Sequence, residues 1–512
     1  MILSKVWPDF FLRTRIRLSE RLQFRVWHRH PRPSQALARH GHCAQVALQD
    51  NTPIARVDPR YLSYSIDISV VAGGFWWEGS SDIRKGLGTL RVPPLDLSPG
   101  KLDLFVQALG PAYLRVGGSE ADKVHYFDAP KDEPHSLVLT RKMWDELHAF
   151  IQRNDLKFSF TIKYGLFKRS QHGDWNGSEL EKLLQYSRER QYHIDVCELG
   201  NELNAYWAFH GLTSQPRARK LAVDYLTFRK TIAGFLPDAK IIGPGSAFWP
   251  KLGETIRPFS NITRRFLETS RELDSPIDII DWHYYPFQSE RSPIRTRKAT
   301  LPRMLKPKAL NDFSRYAQQM RLWRDEFFPD AEMWTGETGS AQCGGQAKIS
   351  DRFASCFWFA DQLGQGALCA QKVMIRQSLI GGEYGMIDRL TMKPRPDFWL
   401  SWCWKQLMGE EVYSCVTPSH MLRCYCHKTP EVQGKTLLLI NLSGKPLKIL
   451  DYGFGKKTRS YSLTAKRLSG KKLYINGIKP RFQKGAVRLT DFDKKSMSDT
   501  LPPYSINFWC FE

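Results

Sequence analysis

Two glutamates stand in settings suited to catalysis. Glu202 lies in DVCELGNELN, residues 195–204, where an apolar run turns abruptly into Gly-Asn-Glu-Leu-Asn, and Glu337 lies in WTGETGS, residues 334–340. Both are flanked by Gly, Asn or Thr, which let a backbone come close to a ligand. Two carboxyls facing one cleft can hydrolyse a glycosidic bond: one protonates the leaving oxygen while the other meets the developing oxocarbenium ion. A single Glu at the end of an apolar run is ordinary surface chemistry. Two such residues carry weight only if the fold brings them together.

The order of elements supplies that condition. From residue 61 onward, runs of β-branched and aromatic residues alternate with amphipathic stretches. The runs are YLSYSIDI (61–68), AYLRVGG (112–118), KFSFTIKYG (157–165), IDVCELGNE (194–202), AKIIGPG (239–245), IDIIDWHYY (277–285), AEMWTGETG (331–339) and KVMIRQSL (372–379). Segments such as MWDELHAFIQRN and FSRYAQQMRLWRDEFF, between the runs, read as helices. Eight strand–helix units predict an α/β fold of the (β/α)₈ barrel type, with the active site at the C-terminal ends of the strands. Glu202 then closes strand four and Glu337 closes strand seven. Strand one closes near Asp67 and strand two near Arg115, Gly117, Gly118 and Ser119. His283, Tyr284 and Tyr285 end strand six, where a tyrosine, with Tyr284 as the candidate, can hydrogen-bond Glu337. Strand eight carries Arg376 and Gln377, and arginines inside barrel strands are read as partners of buried carboxylates.

Beyond residue 410 the pattern changes to short strands separated by Gly, Pro, Asn and Lys turns, which predicts a β-sandwich. The expected organisation is a basic, partly disordered extension over 1–42, sandwich strands from 43–60, the barrel over 61–410 and the sandwich over 411–512. The formal charge is +23, but residues 1–42 hold nine Lys+Arg against two acids and residues 411–512 eighteen against seven, so the ends account for all but +5. No helix-turn-helix, zinc-finger or RNP signature accompanies the charge, which argues against nucleic acid as a partner. Apolar runs never reach 18 residues, so no transmembrane helix is expected. The ten cysteines are scattered, and Cys424-Tyr-Cys426 lacks zinc-site spacing; free thiols, no metal and no cofactor are expected. Residues 1–42 are Arg-rich without an apolar signal-peptide core, which fits a cytoplasmic protein, or a secreted or periplasmic one if the start is misplaced. A monomer is expected.

Several stretches together resemble the heparanase family of glycoside hydrolases, from about residue 44 to the C-terminus: LRVGGSEADKVHYFD, ELGNELN, WHYY, GETGSAQCGGQAKISDRFASCFWFADQLG, VMIRQSLIGGEYGMID and MKPRPDFWLSWCWKQLMG. The resemblance implies a retaining endo- or exo-β-glucuronidase with a barrel and a β-sandwich, acting on glucuronic-acid-containing acidic glycans such as heparan sulfate. It makes Glu202 the general acid/base, Glu337 the nucleophile and Asn201 a neighbour of the sugar 2-hydroxyl. Asp67 would contact the hydroxyls of the −1 uronate, Gly344, Gly345 and Tyr384 would cradle its carboxylate, and Ser119, Tyr284 and Gln377 would line the substrate further. Some positions depart from the family: Leu203 replaces a proline and Cys343 a glycine, and residues 127–157 hold a single helix in place of a long excised linker, so the chain should be active uncut. The alternatives are another retaining glycosidase of the clan, of xylosidase, arabinofuranosidase or glucosidase type, which would lack the uronate pocket, and a non-catalytic acidic-polysaccharide-binding protein, against which both glutamates argue.

Overall fold

The computed structural model describes residues 43–512 except 79–88, 132–135, 167–173, 212–213, 256–260, 293, 431, 484 and 494–496. The basic extension expected over 1–42 lies outside the described residues. Each of the eight apolar runs gives rise to one barrel strand, the fifth extending past its run: β1 Leu62–Asp67, β2 Tyr113–Gly117, β3 Lys157–Ile162, β4 Val196–Leu199, β5 Lys240–Trp249, β6 Ile279–Tyr284, β7 Glu332–Thr338 and β8 Val373–Gln377. Neighbours pair in parallel around the ring, and the Val196↔Lys240 to Glu198↔Ile242 register between β4 and β5 closes it. One principal helix follows each strand: α1 Lys101–Ala108, α2 Arg141–Arg153, α3 Ser178–Glu189, α4 Ala218–Phe235, α5 Thr263–Glu272, α6 Asp312–Phe327, α7 Phe353–Leu368 and α8 Pro396–Leu407.

Alternation along the strands divides the side chains between two environments. Val196, Ile242, Ile279, Trp334, Val373 and Ile375 form a small separate apolar cluster, with Tyr113 packed against it. Two residues further along the same faces come Arg115, Glu198 and Asp281, so a layer of buried charge lies above this apolar floor. The opposite parity packs outward: Phe248, Trp282 and Tyr284 meet Phe313 and Tyr316 of α6.

The β-sandwich stacks two sheets. The smaller joins Cys43–Leu48 to Cys415–Val416, Leu447–Tyr452 and Thr500–Leu501; the larger has seven strands, with Lys435–Asn441 and Ser505–Phe511 at its centre. Leu437, Leu439, Trp509 and Phe511 face the sandwich core with Val46 and Ile449, whereas the intervening Leu438, Ile440 and Phe508 belong to the barrel-side core. On that side Gly364 of α7 packs against Tyr425: a Cβ on the glycine would fall 2.2 Å from the ring. The Tyr425 hydroxyl donates to Asp361 Oδ1 at 2.7 Å. All ten cysteines are free thiols. No described helix is long and apolar enough to cross a membrane.

Candidate active site

The β4 rim turns sharply after Leu199. Gly200 and Glu202 both have positive φ, 74° and 51°, and a 3₁₀ turn, Leu203–Ala205, follows. A left-handed non-glycine residue is strained and is kept only where its surroundings hold it. Here they do: Asp122 Oδ2 accepts from the Asn201 amide at 3.0 Å, and Asn204 exchanges hydrogen bonds with Ala247 at the end of β5. Leu203 is fully buried in this turn.

Glu337 reaches the barrel interior through a bulge. In the β6–β7 register, Trp282 faces Thr335 but His283 faces Glu337, so Gly336 is the extra residue. The bulge shifts the parity of β7 and turns Glu337 inward, as bulges near active sites do. Gly336 is needed there: its amide donates to Asp281 Oδ1 at 2.7 Å, and a Cβ would fall 2.2 Å from that oxygen.

Arg115 ties the two sides together. Its Nη1 donates to Glu337 Oε2 at 2.7 Å, its Nε and Nη2 donate to Glu198 Oε2 at 3.0 and 2.8 Å, and Nη2 also donates to Asn201 Oδ1 at 2.9 Å. The hydroxyl of Tyr285 donates to Glu337 Oε1 at 2.5 Å, so both carboxylate oxygens of Glu337 are held. Burial would push Glu198 up, but the Arg115 charge prevails and holds it at about 2. His283 lies 3.3 Å from Glu202 Oε1 through Nδ1, with Asp281 and Glu198 at 3.5 and 3.6 Å from Nε2. Burial opposes its charge, yet the three carboxylates hold its pKa well above the usual imidazole range. Glu202 is raised, by burial first and by the Glu337 charge, against the opposing pull of His283.

One carboxylate oxygen each of Glu202 and Glu337 and a His283 ring nitrogen lie within 4.8 Å of one another, as do ligand atoms of Glu198, Asp281 and His283. Either trio could in principle ligate a cation. The Arg115 guanidinium already pairs with both Glu198 and Glu337, and His283, its pKa raised, faces the remaining oxygens, so these carboxylates have cationic partners from the protein itself.

A narrow pocket opens above this layer. Of the residues proposed from sequence, Asp67, Ser119, Glu202, Glu337, Gln377 and Tyr384 line it. Asn201 stands just behind, its carbonyl oxygen occupied by Arg115. Asp67 also caps the short helix Ile68–Ala72, accepting from the Ser69 amide at 2.9 Å, and burial together with Glu337 and Glu120 raises its pKa well above the carboxylate range. Gly344 and Gly345 sit in the wall behind Tyr384: the Gly344 carbonyl accepts from the Glu383 and Tyr384 amides, and a Cβ on Gly345 would lie 2.7 Å from the Tyr384 nitrogen. Their neighbours Gln342 and Cys343 reach the pocket itself.

Tyr284 is the exception and requires a correction. It points out of the barrel, its ring against Phe313 and Tyr316, because it is out of phase with the inward His283. Its successor Tyr285 regains the inward phase and makes the contact with Glu337 that sequence reasoning gave to Tyr284. Trp76, Trp77 and Trp249 also line the pocket and were missed. Trp76 and Trp77 follow a short helix after β1, where no strand-end rule points; Trp249 ends a β5 that runs four residues beyond the expected run.

Residues 44–364 match the model for glycosyl hydrolase family 79, N-terminal domain. The chain is 27% identical over 437 residues to heparanase-like protein 1 of Arabidopsis thaliana, covering 81% of this chain and 76% of that protein. It is 26% identical to heparanase of Bos taurus, covering 91% of each, and 26% identical to baicalin-beta-D-glucuronidase of Scutellaria baicalensis, covering 84% of each. In fold it is similar to the GH51 alpha-L-arabinofuranosidase of Thermotoga petrophila, with a TM-score of 0.64 at 13% identity, over 92% of this chain and all of that one.

Proposed function

The chain belongs to glycosyl hydrolase family 79, and from that premise we propose that this glycoside hydrolase, as a monomer, cleaves β-glucuronosyl linkages in acidic glycans with retention of configuration. The observation that carries the mechanism is the approach of Glu202 and Glu337, with carboxylate oxygens within 4.8 Å. Double displacement uses carboxyls about 5–5.5 Å apart, whereas inversion needs about 6.5–9.5 Å to admit a water.

In the first step a Glu337 oxygen attacks the anomeric carbon. The glycosidic C–O bond breaks, and the Glu202 proton passes to the leaving oxygen. Arg115 and Tyr285 fix the attacking carboxylate, and the upward shift of the Glu202 pKa favours the protonated form that the step requires. In the second step water attacks the same carbon, Glu202 takes its proton, and the ester to Glu337 breaks. Asn201, oriented by Arg115, is assigned to the sugar 2-hydroxyl, and Asp67, Ser119 and Gln377 to the rest of the −1 sugar.

The uronate preference draws support from Tyr384 and Gln342 in the pocket wall, where a phenol and a side-chain amide can meet a carboxylate without an arginine. The glucuronidase and heparanase names of the relatives agree with it. The test is hydrolysis of 4-nitrophenyl β-glucuronide beside the β-glucoside, β-xyloside and α-arabinofuranoside, together with size analysis of digested heparan sulfate. Preference for the glucuronide supports the reading; faster release from any of the other three would contradict it. A rapid fall in polymer length marks endo action, and release of monomers alone marks exo action.

A further inference from the structure

A second cavity, of about 520 Å³ and lined by basic residues, opens where the sandwich meets the barrel. Its walls carry Lys348 and Arg352 from the segment joining β7 to α7, and Lys466, Arg467, Lys471 and Lys472 from a loop of the sandwich. The loop is fastened to the first turn of α7: the Phe353 amide donates to Gly470 O and the Ala354 amide to Leu468 O, both at 2.9 Å. Within the loop, Gly470 N donates to Arg467 O at 2.8 Å, closing a turn that holds the four basic residues on one short segment. Asp351 lies 3.4 Å from Arg352 and 3.9 Å from Lys471. Among the described residues, Lys348, Lys466, Arg467 and Lys472 form no ion pair. Six cations around one cavity with one neighbouring carboxylate give it a positive potential that attracts an anion.

The position of this cavity ties it to the catalytic pocket. From Glu337 near the end of β7 the chain passes the pocket-lining Gln342 and Cys343 and reaches Lys348 and Arg352 within 15 residues. Ser350, between those two cations, accepts from the Gln346 amide and bonds Ser340, and its Cβ would be 3.0 Å from a Cβ on Gly345. The cavity therefore lies on the same face of the barrel as the glutamates. Tyr474 adds an aromatic ring to its lining, a surface on which a sugar ring can pack.

We propose that this cavity is a remote subsite for the acidic glycan: carboxylate or sulfate groups of a polymer bound here hold it while another part of the same molecule occupies the catalytic pocket. The inference rests on the assignment of an acidic glycan as substrate. Its signature is a separation between polymeric and small substrates, because a monosaccharide glycoside does not span both sites.

The test compares the full chain with a variant carrying Lys466→Ser, Arg467→Ser, Lys471→Ser and Lys472→Ser, all exposed positions. A second variant removes the same charge elsewhere on the sandwich, through Lys445→Ser, Lys448→Ser, Lys456→Ser and Lys479→Ser, also exposed. At physiological salt, kcat/KM on heparan sulfate is expected to fall about tenfold in the first variant and little in the second. 4-Nitrophenyl β-glucuronide should be turned over equally by all three proteins. An unchanged rate on the polymer, or an equal fall in both variants, overturns the subsite. Should the parent protein hydrolyse neither substrate, the glucuronidase reading fails, and the subsite is judged by affinity for a labelled heparan sulfate oligosaccharide. There the first variant alone should bind about tenfold more weakly. Equal loss of binding to a duplex DNA of matched charge would overturn the assignment to a glycan.

Discussion

Glu202 and Glu337 are alike in type and differ in surroundings, which is the physical basis for the two roles proposed for them. Burial and a neighbouring negative charge raise the pKa of Glu202, which favours its protonated form. In the proposed role of general acid it would work only when protonated, so activity would be lost as pH rises through its pKa. We therefore expect the alkaline limb of kcat/KM to lie above the ordinary glutamate range, about 4.3, and to vanish in Glu202→Gln when a substrate with a good leaving group is used. A limb that persists unchanged in that variant would assign it to another group. Tyr285→Phe removes one of the two donors that hold Glu337. A hydrogen bond to a charged group is worth about 1.5–3 kcal/mol, so kcat should fall about 10- to 100-fold with little change in KM. The two glutamates were legible in sequence because each interrupts an apolar run with small polar residues. The choice between Tyr284 and Tyr285 was not: adjacent identical residues differ only in phase, and the phase depends on where β6 stops alternating.

At the scale of elements, the bulge at Gly336 decides whether β7 delivers the Glu337 carboxylate to the pocket or to the helix layer. Gly336→Ala would press a methyl group into Asp281, an overpacking cost of about 1–3 kcal/mol. The expected outcome is a lowered melting temperature and a loss of activity larger than the loss of stability explains, measured by calorimetry beside initial rates. Activity retained at the parent level would show that the bulge does not aim Glu337. Strand order and the existence of all eight units could be read from the alternation of apolar runs and amphipathic stretches. The bulge could not, since an extra residue in one strand is defined only by its partner strand. The three pocket tryptophans escaped for a related reason: Trp76, Trp77 and Trp249 lie in segments whose course is set by the loops around them.

The whole molecule shares its packing across the junction between barrel and sandwich. Alternate residues of TLLLIN and SINFWCF serve two cores, which is why these strands read as continuous apolar runs without the alternation of a half-solvated sheet. Barrel and sandwich should therefore unfold together. A single calorimetric transition is expected, and Tyr425→Phe, which takes a hydrogen bond from buried Asp361, should lower its midpoint by a cost of about 1–3 kcal/mol while leaving kinetics intact. Two separate transitions would contradict the shared core. Charge at this scale was informative only once located: the net +23 says little, whereas four cations on one loop beside α7 define a cavity.

The central claim is that Glu337 forms a covalent bond to the glucuronyl group. Incubation with an activated 2-deoxy-2-fluoro-β-glucuronide, which slows hydrolysis of the glycosyl ester, followed by proteolysis and mass spectrometry, tests it directly. The account predicts one equivalent of fluoroglucuronyl label on the peptide carrying Glu337, absent in Glu337→Gln. Label on Glu202, Asp67 or any other residue would contradict it.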